Sequence, residues 1–137
     1  MQAPWAGLLL RGEKTIETRE YPLPEAYLGV PLAVLQSPEG GLKFECGSRA
    51  TAQALYVGSV VFSSQKRYGS RGEWEADGAL HRVSCGGESP FGWQEGGEKW
   101  GWVVSHCEPA GEAGQLAVLL EPASRIFRSL FKMPWCY

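Results

Sequence analysis

Long hydrophobic runs are missing from the 137 residues: the longest near the start is Leu8-Leu9-Leu10, closed by Gly7 and Arg11, too short for a signal-peptide core or a membrane span. No membrane contact is expected, and the cytoplasm is the default address where no targeting signal is read. Cys-x-x-Cys pairs are missing as well. Cys46, Cys85, Cys107 and Cys136 stand apart from one another, which matches neither a zinc ribbon nor a secreted disulfide framework. His81 precedes Cys85 by one helical turn and His106 adjoins Cys107, but side chains at neighbouring positions rarely converge on one tetrahedral ion, so neither a metal nor another cofactor is expected. Nor is there an excess of one charge: Lys and Arg total 13 against 15 Asp and Glu, a net charge of −2, so no global positive field gathers nucleic acid and any such contact is local. Gly86-Gly87 and Gly96-Gly97 lack the spacing of a phosphate loop, which leaves nucleoside triphosphate binding without support.

What is present fits a single globular domain over residues 1–137: apolar residues are 44% and charged residues 20% of the chain. From Pro4 the spacing of Trp5, Leu8 and Leu9 predicts a short helix, and Gly12 suits its left-handed cap. Residues 14–20 then switch to a β pattern with Thr15, Glu17 and Arg19 on one face and Ile16 and Thr18 on the other. Val30–Leu35, Ser59–Ser63, Trp100–Val104 and Leu116–Leu120 read as further strands. Helical composition marks 49–56 and, with Ser124 as cap, 125–132, where a bulged strand is the alternative. The glycine-rich stretch 66–97 reads as loop with a weak hairpin through Leu80–Ser84. The expected architecture is α+β: a small β-barrel of five to six strands with two or three short helices.

The densest group of reactive side chains is Gly12-Glu-Lys14-Thr-Ile-Glu17-Thr-Arg19. Alternation on a strand points Glu17 and Arg19 the same way, while Lys14 at the bend can swing over the same cavity. The Arg19 charge is expected to lower the pKa of both Glu17 and Lys14, with burial opposing it at Glu17 and adding to it at Lys14. A lysine so depressed is a usable base or nucleophile near neutral pH, and a carboxylate can orient water. Against this stands a plain surface ladder of ion pairs along an edge strand, and for Trp5 a role as core anchor rather than base-stacking platform.

Pro4-Trp5, the apolar helix, Gly12-x-Lys14-x-x-Glu17-x-Arg19, Gly29-x-Pro-Leu-Ala-Val34, Gly58-Ser-Val-Val and Trp100-Gly-Trp-Val-Val104 together resemble the ASCH domain of the PUA-like superfamily. The resemblance is strong over residues 3–36 and weak over 65–98. It implies a PUA-like barrel with a cleft lined by Lys14, Glu17 and Arg19, and RNA or a modified nucleoside as partner. Some ASCH relatives deacetylate N4-acetylcytidine, which would make Lys14 the base or nucleophile, Glu17 the water-activating carboxylate and Arg19 the electrostatic clamp; a protein-interaction module is a further alternative. Two departures accompany the match. Glu17 stands where those amidohydrolases carry a nucleophilic Thr, with their second Glu unplaced among Glu73, Glu75, Glu88, Glu95 and Glu98, and only Met1-Gln-Ala3 precedes the Pro-Trp pair, which predicts a truncated first barrel strand.

Two local basic stretches are candidate RNA contacts alongside Trp5: Lys66, Arg67 and Arg71, and the tail with Arg128 and Lys132. Tyr68, Trp74, Trp93, Trp100 and Trp102 are candidates to stack unpaired bases, with Trp100 and Trp102 read first as core.

Overall fold

The structure, a computed structural model, describes residues 1–37, 52–83, 89 and 91–120. Helix α1 (Trp5–Leu10) leads into strand β1 (Ile16–Arg19); a 3-10 turn at Glu25–Tyr27 precedes β2 (Pro31–Gln36), then β3 (Ala52–Tyr68), α2 (Arg71–Ala76), α3 (Gly78–His81), β4 (Lys99–Pro109), α4 (Gly111–Gly114) and β5 (Leu116–Leu120). All strand pairs are antiparallel and run in the order β1-β4-β3-β2, with β5 on the start of β3.

The long strand β3 organises this sheet. Its second half pairs with β4 and its first half with β5, so β4 and β5 lie end to end along one edge of β3, joined by the single turn α4 and by the Ala110 N–H bond to Val57 O. Register shifts at Val34/Leu35, Val61/Phe62 and Phe62/Ser64 mark bulges, which bend a strand and raise its twist. The sheet curls but does not close into the expected barrel: among the described residues β1 and β2 do not pair. Helix α1 occupies the open side instead, packing on β2, β3 and β4 with Ala6, Leu9 and Leu10 buried beside Val34, Val60, Phe62 and Trp102. At the mouth of this arrangement Gln2 forms an isolated parallel bridge with Ser37.

Gln65 and Tyr68, three positions apart on β3, lie on opposite faces. Gln65 opposes Trp102 on the α1 side, where its amide clamps Leu23 N–H and C=O at 2.6 and 2.8 Å. Tyr68 belongs to a second, smaller cluster with Trp74 and Val83 under α2 and α3.

Three expectations need correction beyond barrel closure. Residues 52–56 of the expected helix at 49–56 are strand, because Leu55 and Tyr56 have partners on both sides, Gln36 and Leu35 in β2, Ala117 and Leu116 in β5; pairing on two edges overrides weak helix propensity. The expected loop from 66 holds the end of β3 and two helices. Ser70 accepts from Glu73 N–H and the Glu73 carboxylate accepts from Gly69 N–H at 2.8 Å, a relative of the capping box visible in Ser70-x-x-Glu73. Leu80 and His81 end α3 rather than forming a hairpin, and Arg82 turns the chain with φ of 59°. The expected tail helix, with Arg128 and Lys132, lies outside the described residues, as do Cys46, Cys85 and Cys136. No helix among the described residues is long and apolar enough to cross a membrane.

Gly58 marks the tightest approach in the sheet. A Cβ there would overlap the Glu108 carbonyl oxygen and stand 3.1 Å from Pro109 Cα, both backbone atoms of the paired strand. Gly58→Ala is expected to lower the free energy of unfolding by about 1–3 kcal/mol, measured by urea denaturation; an unchanged midpoint would contradict this packing.

Candidate functional site

Lys14 reaches the site through the end of α1. Gly12 adopts φ of 74° and its N–H bonds Leu9 O, while the N–H groups of Glu13 and Lys14 both bond Leu8 O, reversing the chain onto β1. The Lys14 side chain is then buried with its Nζ 2.6 Å from His81 O and 3.3 Å from Glu17 Oε2. Glu17 Oε1 accepts from Arg19 Nη1 at 2.6 Å. Side-chain exposures of 2% for Lys14, 4% for Glu17 and 16% for Arg19 make this a buried triad and not a solvated ladder. Arg19 lies 5.8 Å from the ring centroid of Trp102, which supports the guanidinium from below.

Burial is the leading cause that pushes the Lys14 amine below its ordinary value, with Arg19 adding to it and Glu17 opposing. For Glu17, burial alone acts upward, but Arg19 and then Lys14 outweigh it and hold the carboxyl below the usual range. The triad is thus two cations around one firmly ionised carboxylate.

A cleft of about 40 Å³ opens on these groups. Lys14, Glu17, Thr18 and Arg19 line it together with Met1, Gln2, Trp5, Val83 and Phe91. The Trp5 and Phe91 rings meet edge to face at 5.0 Å and 68°. Thr18, expected to point away from Glu17, also lines the cleft, because the cleft wraps the outer edge of β1 rather than one face. Sequence reasoning missed Phe91, Val83 and the His81 carbonyl; no local pattern marks them, since each arrives from more than 60 positions away in the chain.

Beneath the cleft, His81 is a structural residue. Its Nδ1 accepts from Val83 N–H at 3.1 Å, so Nε2 carries the proton given to Trp74 O at 2.9 Å, and the ring stacks on Trp74 at 4.6 Å. Among the described residues no group of His, Cys, Asp or Glu is arranged to hold a metal.

The other basic candidates lie away from the cleft. Lys66 pairs with Asp77 and sits over the Tyr68 ring, Arg67 pairs with Glu98 at 2.8 Å, and Arg71 with Glu75 at 2.7 Å. Arg67 shares the face and register of Arg19 through Trp100, about 10 Å across two strand spacings. Tyr68, Trp74 and Trp102 are buried and present no face for a base; Trp93 is half-buried and donates to Glu95. Glu73, Glu75, Glu95 and Glu98 all serve these outer contacts and none lines the cleft, while Glu88 is outside the described residues.

Glu17→Gln leaves two buried cations without a counter-charge and is expected to cost about 3–5 kcal/mol in stability, whereas Lys14→Met removes one of two cations and costs less; urea unfolding of both variants checks the order. Because the folded Glu17 pKa is depressed, its contribution is full above 4.5 and lost as pH falls through the lower folded value. His81, depressed by burial from its ordinary 6.5, gives a second slope: stability is expected to fall as pH drops below 6.5, and His81→Gln to remove that slope.

No family model and no curated protein matches the chain. Among solved structures it is similar to ASCH from Zymomonas mobilis and to a serine-to-alanine variant of that protein, each with a TM-score of 0.51 and 14% identity over 80% of this chain. The chain spans 66% of the length of those structures. The chain shares the fold of these ASCH structures.

Proposed function

We propose that this ASCH domain binds RNA, receiving a nucleotide or modified base at the cleft of Lys14, Glu17 and Arg19. One observation carries the reading: a fixed set of two cationic donors and one carboxylate acceptor opens beside the Trp5–Phe91 aromatic pair. Single-stranded nucleic acid is held by that combination of aromatic surface and charge-assisted hydrogen bonds. Arg67 extends the basic face beyond Arg19, and the exposed pairs of Arg67 and Arg71 are weak enough to exchange a carboxylate for a phosphate.

A second reading, an amidohydrolase acting on N4-acetylcytidine, is favoured by the Lys14–Glu17 contact of 3.3 Å and the depressed Lys14 amine. The chemistry requires Lys14 to lose a proton before it acts as base or nucleophile, since as an ammonium it only donates. Glu17, held ionised, is the group to orient water, and Arg19 is positioned to stabilise an oxyanion.

Titration of tryptophan fluorescence with short single-stranded RNA and with single nucleosides tests binding. Trp5→Ala and Lys14→Ala are each expected to weaken it about tenfold or more, and undiminished affinity in both variants would remove the cleft from the reading. Incubation with N4-acetylcytidine tests the enzyme: acetyl release that Lys14→Ala abolishes supports it, and no release by folded protein ends it.

A further inference from the structure

The charges of the triad do not cancel. Lys14 and Arg19 are both cations, each makes its ion pair with Glu17, and all three are largely withdrawn from water. One positive charge is left over in a medium where an uncompensated charge is costly. Arg19 also has hydrogen-bonding capacity to spare: Nη1 serves Glu17 and the Thr18 carbonyl, while Nε is buried with no partner among the described residues.

Size points the same way. At roughly 10–15 Å³ for each water-sized group, a cleft of about 40 Å³ holds some three such groups. That is the head of a small oxyanion, and less than a whole nucleobase. The Trp5 and Phe91 rings, set edge to face, stand beside it as an apolar corner for whatever the oxyanion is attached to.

We propose that the cleft is an oxyanion pocket in which Arg19 and Lys14 take the phosphate of a nucleotide, with its base against Trp5 and Phe91. This rests on the nucleotide reading above and fixes the orientation that reading leaves open: the phosphate goes in, and the base stays at the mouth. The bound monoanion completes the triad as two cations and two anions. Glu17 orders the cations and repels a second negative charge, so a phosphodiester or singly ionised phosphate fits better than a dianion.

Calorimetric titration of the protein at low salt with cytidine, cytidine 5′-monophosphate and its methyl phosphodiester, and inorganic phosphate tests this. Both nucleotides are expected to bind at least tenfold tighter than cytidine, the diester at least as well as the monophosphate, with inorganic phosphate competing against each. Arg19→Gln is expected to erase the preference over cytidine, and Arg19→Lys, which keeps the charge but loses the fork, to retain part of it. Equal binding of cytidine and its phosphates, insensitive to inorganic phosphate, would overturn the pocket while leaving the nucleotide reading intact. Inorganic phosphate binding that adding cytidine does not strengthen would leave the pocket and overturn its nucleotide assignment. Wild-type protein that binds none of the four ends both.

Discussion

The carboxylate of Glu17 is the interaction on which the site depends. It is buried on a four-residue strand between a lysine from the preceding turn and an arginine two positions along, and neither cation is tolerable there without it. Burial acts on each member differently: at Glu17 it opposes ionisation and the cations outweigh it, while at Lys14 it lowers the pKa of the amine despite the Glu17 carboxylate. The result is an ionised acceptor beside an amine easier to deprotonate than an ordinary lysine. That asymmetry is what lets one constellation serve recognition of an anion or, with Lys14 neutral, proton transfer.

Holding the triad requires three separate pieces of backbone. The α1 turn delivers Lys14, β1 fixes the spacing of Glu17 and Arg19 against Trp102 and Trp100 of β4, and α3 supplies the His81 carbonyl that anchors the Lys14 ammonium. Segment 13–15 is stapled to 80–82 by Thr15 N–H to Leu80 O and by Arg82 Nε to Glu13 O. His81 ties this staple into the second core through its stack on Trp74. The two hydrophobic clusters, one on each face of the sheet, therefore meet at the site: α1 fixes one wall, and α2 with α3 the other.

The ASCH fold is seen here with an open sheet. Beta-bulges curl β3, but α1 fills the side on which a barrel would close, so β1 stays an edge strand among the described residues and the cleft forms along its exposed margin. An edge strand is a liability for aggregation, and here charged side chains and a stapled loop cover it. The same edge geometry explains why Thr18 joins Glu17 and Arg19 at the cleft although strict alternation separates them.

Much of the site was legible in the chain itself. Helix α1 with its Gly12 cap, strand β1, and the shared face of Glu17 and Arg19 follow from spacing over a few residues, as does the opposing action of burial and Arg19 on the Glu17 carboxyl. Strands β2, β4 and β5 were readable as apolar β-rich runs. What the chain could not declare was set at long range. Residues 52–56 look helical alone and become strand because β2 and β5 flank them, and α2 was obscured by glycines although Ser70 and Glu73 mark its start. Phe91, Val83 and the His81 carbonyl reach Lys14 only through the folded sheet, and whether the ladder of charges is solvated or buried depends on what packs over it. Local spacing determines which side chains share a face; only tertiary packing decides how much water they keep, and with it the chemistry they can perform.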